Sequence, residues 1–220
     1  MVTFDDVKND PLIKEYIQQT QDYMKWLGFT DHGFEHVQIV SERARLLAQA
    51  AGLSPADQEL SAMAGYCHDM GNFLGRTQHH YWGGMLFGET FRGRLEPQRL
   101  ACVMQAIVAH DKDEIKIPTK VAACLIIADK SDVRRSRVFD HSEKNLAVDI
   151  HDRLNYSVTE NKFQVDSKKK TVTIKLIIDV NRAPVMEYFE IFSDRMTYCR
   201  TAAETLGWRF GLVINHVKLL

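Results

Sequence analysis

No apolar run in the chain approaches the roughly 20 residues needed to cross a bilayer; the longest candidate runs from Val121 to Ala128. The first ten residues, MVTFDDVKND, are acidic and lack the apolar stretch of a secretory signal, so no signal peptide is expected; the cytoplasmic expectation rests on the cysteines. Cysteine is scarce, and Cys67, Cys102, Cys124 and Cys199 form no CxxC pair. That excludes a zinc knot of the usual spacing and points to reduced thiols. There is no Gly-rich P-loop, no dinucleotide fingerprint, no internal repeat and no Pro/Gly-rich linker. Excess charge is lacking too: 28 Lys and Arg face 29 Asp and Glu, a net charge of −1. General nucleic-acid or anionic-membrane binding is therefore not expected.

What the chain does have is histidine. Of its 9 histidines, six lie between positions 32 and 110, which raises the expectation of a metal or acid–base site. The first two thirds of the 220 residues read as successive helices. Asp10-Pro11 opens one, with Ile13, Ile17 and Met24 on one face and Gly28 at its end. A second starts near Thr30-Asp31. Ser54-Pro55 starts a third, with Ser54 as N-cap and Asp57 completing a capping-box-like pattern. Others follow His80, run from Pro97 to His110, open at Pro118 and continue past Asp129, and start near Ser142. Near Val158 the apolar period changes to two, through Val172, Ile174, Leu176 and Ile178. A helix from Pro184 and an alternating strand from Trp208 to Ile214 follow. The expected fold is mainly α: a helical domain, residues 1–157, then a small ββαβ unit, residues 158–220. That unit is expected to be an antiparallel sheet with one long helix on it.

Several polar groups end the apolar stripes of these helices. His68 continues the stripe of Ala64, His110 follows Val103 and Ile107, and Asp129 follows Leu125 and Ile126. His36 begins the second helix, with His32 one turn earlier on the same side. Each taken alone is an ordinary core or boundary residue. Three helices directing His, His-Asp and Asp inward together are a poor fit to coincidence, because a buried carboxylate is costly unless paired or bound to metal.

His36, the dyad His68-Asp69 and the distant Asp129 resemble the H…HD…D signature of the HD superfamily of metal-dependent phosphohydrolases. The specificity lies in GYCHDMGN, a helix ending in His-Asp before Gly, and in LIIADKSD on a later helix. DIHDRLNYSV and VMEYFEIF are similar to a bacterial subfamily described only as HD-domain proteins. The resemblance implies an HD helical bundle and a metal site of His36, His68, Asp69 and Asp129. In two-metal members two further histidines take part. Here His110 matches one, and the other is His79 with Gly83 or His80 with Gly84. His80 is preferred, because MLFGE follows Gly84 as an amphipathic helix. Asp69 would then bridge two ions of Fe, Mn, Co, Ni or Zn. Hydroxide held by the metals would attack phosphorus of a nucleotide or related small phosphate ester, monoester or diester. Asp69, His68, Lys130 and Arg76 would carry the reaction, and His32, Lys130, Arg76, Asp132 and Arg134 would contact substrate. Arg137 is a further cation near the site, and His151 stands on a helix expected to line the pocket. The chain lacks a GYP sequence, and Asn72 stands where many two-metal relatives have Lys. The same ligands would suit a di-iron oxygenase, and the fold a non-catalytic nucleotide-binding regulatory module. A homo-oligomer is left open.

Overall fold

Local chemistry sets the helix ends in the computed structural model, which describes residues 2–111 and 116–220. Thr3 and Asp6 form a capping box at the start of α1 (Phe4–Asn9). Asp10 caps α2 (Pro11–Trp26), which has Pro at its first position. Gly33 precedes α3 (Phe34–Ala50). The Ser54 hydroxyl accepts from the Asp57 amide to begin α4 (Pro55–Cys67). Then come α5 (His79–Phe91), α6 (Pro97–Ala109) and α7 (Lys120–Lys130). Thr119, not Pro118, caps α7: its hydroxyl accepts from the Ala122 amide at 3.1 Å. That helix ends at Lys130, so Asp129 sits in its last turn rather than mid-helix. The single helix expected near Ser142 is two short ones, α8 (Glu143–Val148) and α9 (Ile150–Ser157), because Asp149 leaves helical geometry and caps the second.

Chain geometry changes from helix to strand between Ser157 and Val158. Strands β1 (Val158–Asp166) and β2 (Thr171–Ile178) pair antiparallel. The long α10 (Val185–Thr205) then crosses over to β3 (Arg209–Ile214), and a short β4 (Val217–Lys218) closes the order β1-β2-β3-β4. The antiparallel expectation is corrected at one pair: β2 and β3 are parallel. A crossover helix returns the chain in the same direction, which a tight turn cannot do. The unit is therefore ββαββ.

Helix α7 is the axis of the bundle. Val121 to Ala128 are all buried, because α3, α4, α6 and α10 surround it. The inner faces of β2 and β3, with Val172, Ile174, Leu176, Leu212 and Ile214, join the same hydrophobic core. Tyr198 of α10 donates its hydroxyl to the Ala109 carbonyl at 2.6 Å, tying α10 to the end of α6. The segment after α7 is held by Asn161 of β1, whose amide donates to the carbonyls of Ser131 (2.7 Å) and Val133 (2.9 Å). Among the described residues no helix is long and apolar enough to cross a membrane.

Candidate metal centre

Three histidines share one device. His68, His79 and His110 stand at helix ends, and each Nδ1 lies near the carbonyl three residues earlier: Gly65 at 2.8 Å, Arg76 at 2.8 Å and Ile107 at 2.6 Å. A carbonyl only accepts, so each Nδ1 carries a proton and Nε2 is left as the atom that turns toward the site. His36 reaches the same state differently: its Nδ1 donates to Asp132 Oδ2 at 2.8 Å, with both side chains fully buried.

The four Nε2 atoms converge as two pairs, His36 with His68 at 3.3 Å and His79 with His110 at 3.1 Å. Asp69 stands between them. Its Oδ2 lies 3.3 Å from His36 Nε2 and 3.2 Å from His68 Nε2. Its Oδ1 lies 3.2 Å from His79 Nε2 and 3.8 Å from His110 Nε2. Asp129 Oδ1 is 3.5 Å from both His36 and His68. Imidazole nitrogens and carboxylate oxygens packed this closely need protons or metal cations between them. The donor set therefore fits divalent metal, with the outward hydrogen bonds that orient metal-bound histidines already made.

Two glycines permit the approach. A Cβ on Gly65 would meet Ser41 Cα at 2.7 Å, so α3 and α4 touch backbone to backbone beneath His36 and His68. A Cβ on Gly71 would meet the His79 carbonyl oxygen at 2.2 Å, so the turn after His68-Asp69 seats directly under α5.

Buried charge shapes the site further. For His68, burial disfavours the charged ring, but the Asp69 charge and hydrogen bonds to Asp129 and Asp69 outweigh it and raise its pKa to about 10. His36 is also raised: burial and Arg137 oppose protonation, and Asp129, Asp132 and Asp69 overcome them. The Asp69 and Asp129 carboxyls are held well below the ordinary range despite burial, Asp69 chiefly by His68 and His32, Asp129 chiefly by Lys130 and His36. His110 and His32 go the other way, lowered by burial. The field thus draws positive charge toward Asp69 and Asp129.

The structure brings together His36, His68, Asp69, His110 and Asp129 from the sequence expectation. It places His79, not His80, against Asp69 and His110. Neighbours on a helix point about 100° apart, so only one of them faces Asp69. The His80 ring packs on Tyr81 with centroids 4.3 Å apart, and its nitrogens group with His79 and Asp111. His32 lies before α3 rather than one turn along it, its Nδ1 donating to the Thr30 carbonyl at 2.5 Å.

A cavity of about 250 Å³ opens onto the donors; His32, Asp69, Arg76, Lys130 and Asp132 line it, and so does His151. Lys130 Nζ donates to the His110 carbonyl (2.7 Å) and to Asp129 Oδ2 (3.0 Å). Arg76 donates to Asn72 Oδ1 at 3.1 Å, and Asn72 in turn donates to Asp69 Oδ1 at 3.0 Å. Arg134 is not on the cavity wall. Its guanidinium pairs with Asp132 Oδ1 at 2.9 Å and Glu35 at 2.8 Å. Arg137 lines the cavity but donates to the carbonyls of Asp31 and Asp132. Phe192 and Arg195 of α10 complete the wall. Sequence reasoning passed over Arg195; its signal was the step of three from Phe192, on the apolar face of α10.

A family model for the HD domain matches residues 33–134. Over that span the chain is similar to HD domains. No curated protein matches the chain. The matched span holds all six converging side chains, His36, His68, Asp69, His79, His110 and Asp129. Arg195 and Phe192 lie outside it. Buried His/Asp groups within this span could hold divalent metal.

Proposed function

We propose that the chain is a phosphohydrolase that uses two divalent transition-metal ions to cleave a nucleotide or related small phosphate ester. One observation carries the reading: the two oxygens of Asp69 face different histidine pairs, Oδ2 toward His36 and His68, which Asp129 Oδ1 also approaches, and Oδ1 toward His79 and His110. On this reading His36, His68 and Asp129 would hold one ion and His79 and His110 the other, with Asp69 a ligand available to both. Mixed nitrogen and oxygen donors suit Fe, Mn, Co, Ni or Zn over Mg or Ca. Such ions, when bound, lower the pKa of a water and offset charge on phosphoryl oxygens. Residues 1–157 form the metal-binding domain, and residues 158–220 are an extension of it.

The chain's own groups supply the rest. Asp132 holds the His36 ring so that Nε2 faces Asp69. Lys130 fixes the His110 backbone and one oxygen of Asp129, and it brings its charge to the cavity wall. Arg76 presents positive charge at the cavity wall beside Asn72. His32, kept neutral by burial, offers Nε2 as a proton acceptor to a water or substrate hydroxyl.

The test is metal analysis of protein purified without chelators, then a panel of phosphomonoesters and phosphodiesters with Mn, Co, Ni and Fe. We expect about two ions per chain and hydrolysis of at least one nucleotide. Asp69→Ala should lose both ions and turnover. His79→Ala should lose one ion, whereas His80→Ala should keep both. Retention of metal and full turnover by Asp69→Ala would refute the two-metal reading. Iron-dependent oxygen consumption without phosphate release would favour an oxygenase instead.

A further inference from the structure

Four cationic side chains line the cavity beside the donors: Arg76, Lys130, Arg137 and Arg195. Three of them are committed. Arg76 is bonded to Asn72, Lys130 to Asp129 and the His110 carbonyl, and Arg137 to the carbonyls of Asp31 and Asp132. Arg195 makes no hydrogen bond or ion pair with any described residue. Its guanidinium lies over the Phe192 ring, 4.9 Å from the centroid, which fixes its direction without using its hydrogens. Like Phe192, it reaches the cavity from α10, a helix outside the matched span.

We propose that Arg195 is the substrate-phosphate anchor of this site, so that the C-terminal unit supplies the group that selects an anionic ester. The inference rests on the phosphohydrolase reading. A guanidinium stays charged under all ordinary conditions, and five hydrogens in a planar fork match two oxygens of a phosphate. Keeping that fork partly buried and unpaired costs folding free energy. An anionic ligand entering the cavity offsets the cost, and the neighbouring cations, already engaged, set the net charge it meets. Burial lowers the Arg195 pKa from its ordinary value. Asp129 faces the same cavity from α7, so Arg195 and the donor cluster share one cavity.

The experiment uses the full chain loaded with Mn, with p-nitrophenyl phosphate and inorganic phosphate as probes. Arg195→Met removes the charge at similar volume, and Arg195→Lys keeps the charge but loses the fork. For Arg195→Met we expect a rise in KM for the ester and in the inhibition constant for phosphate of roughly 10- to 100-fold. The metal content should be unchanged, and the unfolding temperature without ligand equal to or above the parent's. A residue with a merely structural role would lower that temperature. Arg195→Lys should recover part of the phosphate affinity. If the parent hydrolyses the ester and Arg195→Met matches it in KM and phosphate inhibition, Arg195 is not the anchor while the phosphohydrolase reading stands. If the metal-loaded parent neither hydrolyses phosphate esters nor binds phosphate, both readings fall.

Discussion

Replacing Asp132 by Asn tests how much of the metal centre depends on a residue that need not touch metal. Asp132 Oδ2 accepts from His36 Nδ1 at 2.8 Å, and neither side chain is exposed. The amide of Asn can turn its NH₂ toward Nδ1. That would move the ring proton to Nε2, into the space shared with His68 and Asp69. Loss of such an orienting partner typically costs about 10- to 100-fold in metal affinity, or about 1.4–2.7 kcal/mol. We expect the upper half of that range, because the same substitution removes a charge from Arg134, whose Nε is 2.9 Å from Asp132 Oδ1. The Asp132 carboxyl is held far below its ordinary value despite burial, by His36 and the two arginines. A lowered carboxyl stabilises the fold above its unfolded pKa and loses that stabilisation as pH falls. Asp132→Asn should therefore be less stable than the parent at pH 7, with the difference shrinking in acid. Chelator competition at pH 7.5 measures the affinity, and thermal unfolding at pH 7 and pH 3 measures the rest. Metal affinity within threefold of the parent would refute the orienting role.

Two further predictions follow from the same geometry. In the metal-free chain His68 holds its proton to about pH 10, so an ion binding there at neutral pH displaces it. Apparent metal affinity should climb between pH 6 and 9, by up to about tenfold per unit for one proton, and a flat profile in chelator competition would contradict it. The raised His68 pKa stabilises the metal-free fold below the unfolded value near 6.5, and that contribution fades as pH rises toward 10. Gly65→Ala gains roughly 1 kcal/mol of helix propensity but forces a Cβ to within 2.7 Å of Ser41 Cα and 2.9 Å of its amide nitrogen. Backbone atoms there cannot step aside singly, so we expect a net loss of about 1–2 kcal/mol and a weakened His36–His68 pair; an unchanged melting temperature and metal content would overturn it.

The parts of this architecture that local rules govern were readable in advance. Asp10-Pro11 and Ser54-Pro55 mark helix starts through hydrogen bonds spanning two or three residues, and the structure has both. The capping box of Thr3 and Asp6 was equally local and went unread. Period two through Val172 to Ile178 is β2, whose residues alternate between buried and partly buried, with Lys175 exposed. Pairing direction was not readable, because the parallel β2–β3 pair depends on where α10 delivers the chain. His79 and His80 differ by one helical step, and their motif fits both. Only the packing of α5 on the turn at Gly71 decides which ring meets Asp69. Arg195 was hidden for a related reason: a charged residue beside an apolar stripe reads as solvated until the facing helices are known.

The grip of Asn161 on Ser131 and Val133 has a consequence for the order of events during synthesis. A chain emerging N-terminus first completes all six donor residues before the strand that steadies the backbone between Asp129 and Asp132 has been made. Arg43 of α3 waits too, because its guanidinium bonds both Ser131 Oγ (2.8 Å) and Asn161 Oδ1 (3.1 Å). Arg195 and Phe192 come later still. The nascent chain therefore passes through a stage in which the acidic and imidazole donors are present while the wall contributed by α10 is missing. In the finished protein Phe192 and Arg195 help line the cavity beside those donors.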